Sequence, residues 1–342
     1  MLATHRPRGP STDAAMLHEN LIIAKSGPTR IRMMAASYKD ASGRGLMVCP
    51  HLSQTPRLVP SSSFSMPRKR RVLSLPQKLP PCDGPKLNIF PYHKSRIQWL
   101  ERLDEDDDVT SSQGYVFRAL IRGREYAVKV FKFFDPMSTE YFWGPLLGED
   151  TSLDTAAYYT DPFYAECRAY GRIREATDRR ILKSDVAVAS HGFFFLESKD
   201  QEALQNRNID LGLDSVDINY QRSTIGGLRA RAIVKDVASP ESGITSTNMR
   251  RILGKLVSMN KAGIYNMDIR IDNFRDGRLV DFGSSWTEPH ALLGSLSYEA
   301  ATESKLADRV MFEQMIEDEE LMNSGEVKAI HHMQLRSQVQ RH

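Results

Sequence analysis

The sequence predicts an α+β fold. Three observations carry it: apolar–polar alternation between Ile97 and Phe131, helical spacing of apolar residues from Pro162 and again from Thr247, and strand-like runs at 186–197 and 229–237. In order, Ile97–Leu103 reads as a first strand, although a helix start also fits. Gly114–Ile121 is a second strand, Arg122-Gly123 a turn, and Glu125–Phe131 the third strand of a tight hairpin. Residues 135–160, rich in Gly, Pro, Asp and Thr, read as an insertion, with Tyr141-Phe142-Trp143 as a small packing nucleus. Pro162–Thr177 brings Phe163, Cys167, Tyr170 and Ile173 to one helical face, with Asp161 or Thr160 as N-cap. The run Phe193–Phe195 implies a strand buried on both faces. Residues 199–225 read as a loop, and Arg229–Val237 as another strand. Thr247–Ala262 turns Met249, Ile252, Leu253, Leu256 and Val257 inward as a helix, and His290–Leu293 and Tyr298–Asn323 read as further helices.

Composition divides the chain. Of the 342 residues, 41% are hydrophobic and 26% charged, as in a globular protein with some polar excess. The net charge of +3 hides a split: residues 1–80 carry 13 Lys+Arg against 3 Asp+Glu, the remainder 33 against 40. Residues 1–86, dense in Pro, Ser and Arg, read as a disordered basic arm with room for one brief helix at Ala14–Lys25. Such an arm suits DNA, an acidic partner or an import receptor. Arg68, Lys69, Arg70 and Arg71, following Pro67, predict nuclear import; a solvated charge run is the alternative. Cys49, Cys82 and Cys167 are too scattered for a zinc site or disulfide framework, which points to a reducing compartment. The nine histidines show no metal-ligand spacing. No run approaches the ~18–20 apolar residues of a membrane helix, and Met1–Pro10 has no secretory h-region.

The chemistry-bearing stretch is Gly263-Ile-Tyr-Asn-Met-Asp268-Ile-Arg270-Ile-Asp-Asn273, followed by Leu279-Val-Asp281-Phe-Gly283. It has the form Asp-x-x-x-x-Asn, a short hairpin, then Asp-Phe-Gly. One carboxylate can orient or deprotonate an attacking hydroxyl, while an amide oxygen and a second carboxylate are hard ligands that suit Mg²⁺. The same residue types also favour an Asx-rich turn, and Val-Asp-Phe before Gly is ordinary hairpin grammar. Lys129, in Ala127-Val-Lys129-Val, fits a phosphate contact or a snorkelling edge lysine.

Over residues 95–300 the order of strands, helix, strands, helix, Asp/Asn loop and Asp-Phe-Gly resembles the protein-kinase-like superfamily. More narrowly, Ala262-Gly-Ile-Tyr, Asp-Ile-Arg-x-x-Asn-Phe and Val-Asp-Phe-Gly-Ser-Ser-Trp-Thr-x-Pro-His290 resemble a group of fungal kinase-fold proteins. That group is labelled as the Fta-type subunit of the Sim inner-kinetochore complex. The resemblance implies a two-lobed fold with a reduced C-terminal lobe: arm 1–86, N-terminal lobe 87–237, C-terminal lobe 238–342. It implies ATP and Mg²⁺ as cofactors and kinetochore proteins as partners in the nucleus. Lys129 would bridge phosphates, paired with Glu166 (Glu149 being the rival), and Gly114 would belong to the nucleotide-covering loop. Asp268 would be the catalytic carboxylate, Arg270 would touch the transferring phosphate, and Asn273 and Asp281 would hold the metal.

The departures bear on activity. Asn266 and Met267 stand where the family has His-Arg, Asp104–Asp108 puts carboxylates beside a single glycine in the nucleotide loop, and no Ala-Pro-Glu follows Gly283. Acidic residues there repel a triphosphate. The main expectation is transfer of a γ-phosphoryl group to a hydroxyl; the alternative is an inactive pseudokinase scaffold, and a small-molecule kinase is a third option. Retention of Lys129, Glu166, Asp268, Asn273 and Asp281 favours catalysis, because packing alone gives a scaffold no reason to keep those types in register.

Overall fold

Alternation within the strands dictates a sheet with two buried faces, and that sheet positions the rest. A computed structural model describes residues 78–81, 83–104, 113–138, 143–148, 150–224 and 228–321. The basic cluster at 68–71, the brief helix at 14–25, most of the acidic run, Tyr141, Phe142 and Glu149 lie outside the described residues. The elements are β1 (Ile97–Arg102), β2 (Gly114–Ile121), β3 (Arg124–Phe131), α1 (Gly144–Leu147), α2 (Leu153–Thr160), α3 (Pro162–Asp178) and β4 (Ser190–Phe195). They continue as α4 (Ser198–Gln205), α5 (Ile218–Ser223), β5 (Arg231–Lys235), α6 (Met249–Lys261), β6 (Ile264–Tyr265), β7 (Phe274–Arg275), β8 (Arg278–Leu279), β9 (Trp286–Thr287), α7 (Ala291–Ser295) and α8 (Tyr298–Asp318).

Five strands form one antiparallel sheet in the order β1-β2-β3-β5-β4. On one face Tyr126, Val128 and Val130 of β3 and Ala232 and Val234 of β5 join Trp99, Phe117, Phe194 and Leu204 in a core. On the other face, Phe131 and Ile233 join a second core with α3, α6 and α8. The period of two therefore turns Lys129, Arg231 and Lys235 toward α3. Both sheet edges are covered. Residues 88–90 lie along β4, with Phe90 N–H donating to Phe193 O at 2.8 Å and Phe193 N–H to Asn88 O at 3.0 Å. At the β1 edge Arg207 donates to the carbonyls of Trp99 and Leu100 at 2.6 and 2.7 Å. Such coverage removes edges that would otherwise template pairing.

Most elements fall where their periods place them, and Ile97–Arg102 is a strand. The segment 199–225 differs: it carries α4 and α5, not an uninterrupted loop. These helices are one or two turns long, too short for a period to emerge. α5 is set instead by Asp217, whose carboxylate accepts from Asn219 and Tyr220 N–H. The insertion also holds α1 and α2, with Trp143 Nε1–H donating to Pro136 O. Leu79 is buried in the second core, so packing begins ahead of residue 87.

The close approach that seats α3 is at Gly171, where an added Cβ would lie 2.6 Å from the backbone N and C of Lys86. Gly171→Ala should gain about 1 kcal/mol of helix propensity yet lower the melting temperature by a few degrees, because the clash with immovable backbone costs about 3 kcal/mol, the upper end of overpacking. An unchanged or raised melting temperature would contradict this packing.

Candidate functional site

The first turn of α3 is capped by Asp161, whose carboxylate accepts from Phe163 N–H and pairs with the Arg231 guanidinium. That pairing fixes the start of the helix on β5. One turn further along, Glu166 points at the sheet and is fully buried. Its Oε2 accepts from Lys129 Nζ at 3.0 Å, and its Oε1 pairs with the Lys235 ammonium. Lys129 Nζ also donates to Asp281 Oδ1 at 2.7 Å, and Lys235 Nζ to Val280 O at 2.5 Å. Two sheet lysines thus hold one helix carboxylate and the strand end that carries Asp-Phe-Gly. Lys129 is an interior lysine, not a snorkelling edge residue.

Electrostatics follow the geometry. Burial alone would raise the Asp281 carboxyl, but the Lys129 and Lys235 ammoniums, the Lys129 hydrogen bond and the Gly283 N–H hold it well below the usual carboxylate range. Burial would likewise lower the Lys129 ammonium; the Asp281 and Glu166 charges overcome it and raise the group above its ordinary value. Asp268 moves the other way: burial raises it, and the Asp281 charge adds to that against the pull of Arg270.

The Asp/Asn loop sits beside this cluster. Asn273 Nδ2–H donates to Asp268 O at 2.8 Å and to Asp268 Oδ2 at 3.0 Å, while the exposed Arg270 lies 3.5 Å from Asp268 Oδ1. Asn266 binds the two motifs together, since its amide donates to Asp281 O at 2.7 Å and its Oδ1 accepts from Asp268 N–H at 3.1 Å. Met267 adopts φ 64°, a conformation disfavoured for a side chain of its kind. Asp308 of α8 supports it: the buried carboxylate accepts from Asn266 N–H at 2.9 Å, Met267 N–H at 2.8 Å and Asn260 Nδ2–H at 2.7 Å.

The structure therefore brings together Lys129, Glu166 and Asp281, and separately links Asp268, Asn273 and Arg270. Gly114 has a local role: an added Cβ would lie 2.3 Å from Val130 O, so the β2–β3 approach itself demands glycine. Sequence reasoning missed Lys235, Asn266, Asp308 and Gln113. Gln113, just ahead of β2, donates from Nε2 to Ser284 Oγ at 3.1 Å, and its side chain fills the space a Cβ on Gly283 would need. Phe282 is buried against Tyr170 of α3, their rings 5.2 Å apart and edge-on. The only sequence signal for Lys235 is its parity on β5, shared with Arg231.

Glu166→Ala leaves two buried ammoniums sharing no carboxylate and should cost about 3–5 kcal/mol in denaturant unfolding. Adding Lys235→Met should recover part of that loss; a Glu166→Ala cost below about 1 kcal/mol would contradict the shared pairing. The Asp281 shift has a pH signature. Because its folded pKa is depressed, its stabilisation is complete above the ordinary carboxylate pKa of about 3.9 and is withdrawn as pH falls below it. The stability difference between the parent and Asp281→Asn should therefore shrink between about pH 5 and pH 2, as read from urea midpoints. A constant difference would refute it.

No curated protein matches this chain. Residues 75–286, well over half of the sequence, match the family of the kinetochore Sim4 complex subunit FTA2, and the chain belongs to that family.

Proposed function

We propose that this protein is a non-catalytic structural subunit of the kinetochore, built on a two-lobed protein-kinase-like fold with a reduced C-terminal lobe. The observation that carries the reading is membership of the Sim4 complex subunit family. Its partners are then other kinetochore proteins and its compartment the nucleus. The kinase-like fold is supported by the sheet order β1-β2-β3-β5-β4, a lysine on β3, a helix glutamate between β3 and β4, and the Asp/Asn loop followed by Asp-Phe-Gly. On this division residues 87–237 form one lobe and 238–342 the other, and the basic arm ahead of them would engage DNA, an acidic partner or an import receptor. No helix among the described residues is long and apolar enough to cross a membrane.

Two features of the site favour a structural role. A second buried lysine, Lys235, pairs with Glu166, so the carboxylate that would orient Lys129 is shared. Gln113 reaches from the nucleotide-covering position onto the Asp-Phe-Gly turn.

A second reading, Mg²⁺-ATP binding with phosphoryl transfer to a hydroxyl, is favoured by the convergence of Lys129 on Glu166 and Asp281. Among the described residues no group of three or more His, Cys, Asp or Glu side chains could hold a metal. Mg²⁺ bound with nucleotide needs only one or two protein oxygens, the rest coming from phosphate and water. The partly exposed Asp281 carboxylate and the Asn273 amide fit that donor set. Mg²⁺ would screen phosphate charge, Lys129 would align the phosphates under the strand entered at Gly114, Arg270 would meet the transferring group, and Asp268 would orient the acceptor.

Asp268→Asn removes the carboxylate transfer would need. On the structural reading the variant still assembles with kinetochore proteins and reaches kinetochores in cells; loss of both by a folded variant would sink that reading. Thermal melting with millimolar Mg²⁺-ATP separates the two. The structural reading expects no shift, whereas nucleotide at 100 times its Kd would add about 2.7 kcal/mol, abolished by Asp281→Asn.

A further inference from the structure

A cleft of about 470 Å³ opens at the hairpin end of the sheet, lined by Arg96, Gln98, Leu120, Arg122 and Gly123. Strand register assembles it. Ile97 pairs with Ile121 and Gln98 with Leu120, so Arg96 at the entry to β1 lies beside the Arg122-Gly123 turn. That turn places both residues in the left-handed region, φ 53° and 78°. The cleft is separate from the ion cluster, although both use the same sheet face. Lys129 pairs with Val116, whereas Leu120 is four residues further along β2, about 13 Å at strand rise.

Its charge is uncompensated. Neighbouring cations are paired, Arg118 with Glu101 and Glu125, and Arg124 with Asp236. Arg96 and Arg122 have no ion pair with any described carboxylate, and the nearby Lys199 is paired with Glu197 at 3.0 Å. The Arg122 guanidinium rests 4.8 Å over the Tyr92 ring, a stacking that holds its donor fork in one plane. Arg96, Gln98, Leu120 and Arg122 thus line an open concave site, and Glu125, opposite Leu120 on β3, is engaged by Arg118.

We propose that this cleft binds an anionic side chain, phosphorylated or carboxylate, on a peptide segment of a partner protein. Guanidinium forks match the planar and tetrahedral oxygens of such groups by paired charge-assisted hydrogen bonds. A nucleic acid is disfavoured because residues beyond 80 carry 33 Lys+Arg against 40 Asp+Glu, which repels a long polyanion far more than one anionic group.

The test uses the full chain, so that the basic arm contributes equally to parent and variant. Fluorescein-labelled peptides bearing phosphoserine, aspartate or unmodified serine at one position, and a duplex DNA of random sequence, are titrated against parent and Arg96→Ala/Arg122→Ala. The expected result is at least tenfold weaker binding of the phosphoserine peptide by the variant, with melting temperature and DNA binding unchanged. Preference for phosphoserine over aspartate assigns phosphate; equal affinity for both above serine assigns acidic side chains generally, and either supports the cleft. Equal loss of peptide and DNA binding would make it a nucleic-acid surface and overturn the proposal. So would unchanged peptide binding by the variant, or a parent that does not distinguish the three peptides.

Discussion

The structure depends on one carboxylate, Glu166, held between two lysines away from water. A unit pair at 3.0 Å attracts by roughly 5 kcal/mol at an effective dielectric near 20, and the desolvation of each ion costs several kcal/mol. These terms are of similar size, so the pairing adds little net stability. Its consequence is positional. Any slide of α3 along the sheet would strand the buried Glu166 carboxylate and take from Lys235 its counter-charge, which ties α3 to β3 and β5 in register. Asp281 joins the same set through Lys129, and with it the Asp-Phe-Gly turn. Further ties run the same way: Arg168 of α3 donates to Thr287 O at 2.9 Å and Ser285 Oγ–H to Ala165 O at 3.3 Å.

Much of this was legible as residue type and order. The period of two on β3 and the helical face from Phe163 to Ile173 located Lys129 and α3, and Glu166 proved to be the lysine's partner across 37 residues. What the sequence did not disclose were groups whose meaning lies in who stands opposite. Lys235 looks like the polar end of a strand, and only the Ala127↔Lys235 register shows it beside Lys129. Asp308 sits in a helix of mixed charge, and nothing local tells that its carboxylate supports backbone 41 and 42 residues upstream. In the sequence Asn266 is only the residue that replaces a histidine, whereas in the fold it ties the two motifs together.

These contacts change what retention of the motif residues implies. A scaffold has packing reasons to keep them after all. Remove Lys129 and Glu166 loses one of two counter-charges; remove Asp281 and Lys129 keeps only a carboxylate already shared with Lys235. Remove Asn273 and Asp268 loses the donor that meets both its carbonyl and its carboxylate. Each of these residues therefore does structural work of a kind that a catalytic role would also require. Their presence is therefore expected of an enzyme and of a scaffold alike. On the reading proposed above the telling group is Lys235, which adds a second buried positive charge and shares Glu166 with Lys129. A site that takes Mg²⁺ and a triphosphate needs the strand lysine paired with the helix glutamate and the Asp-Phe-Gly carboxylate left to the metal. Here Lys235 shares that glutamate, and Lys129 also holds Asp281.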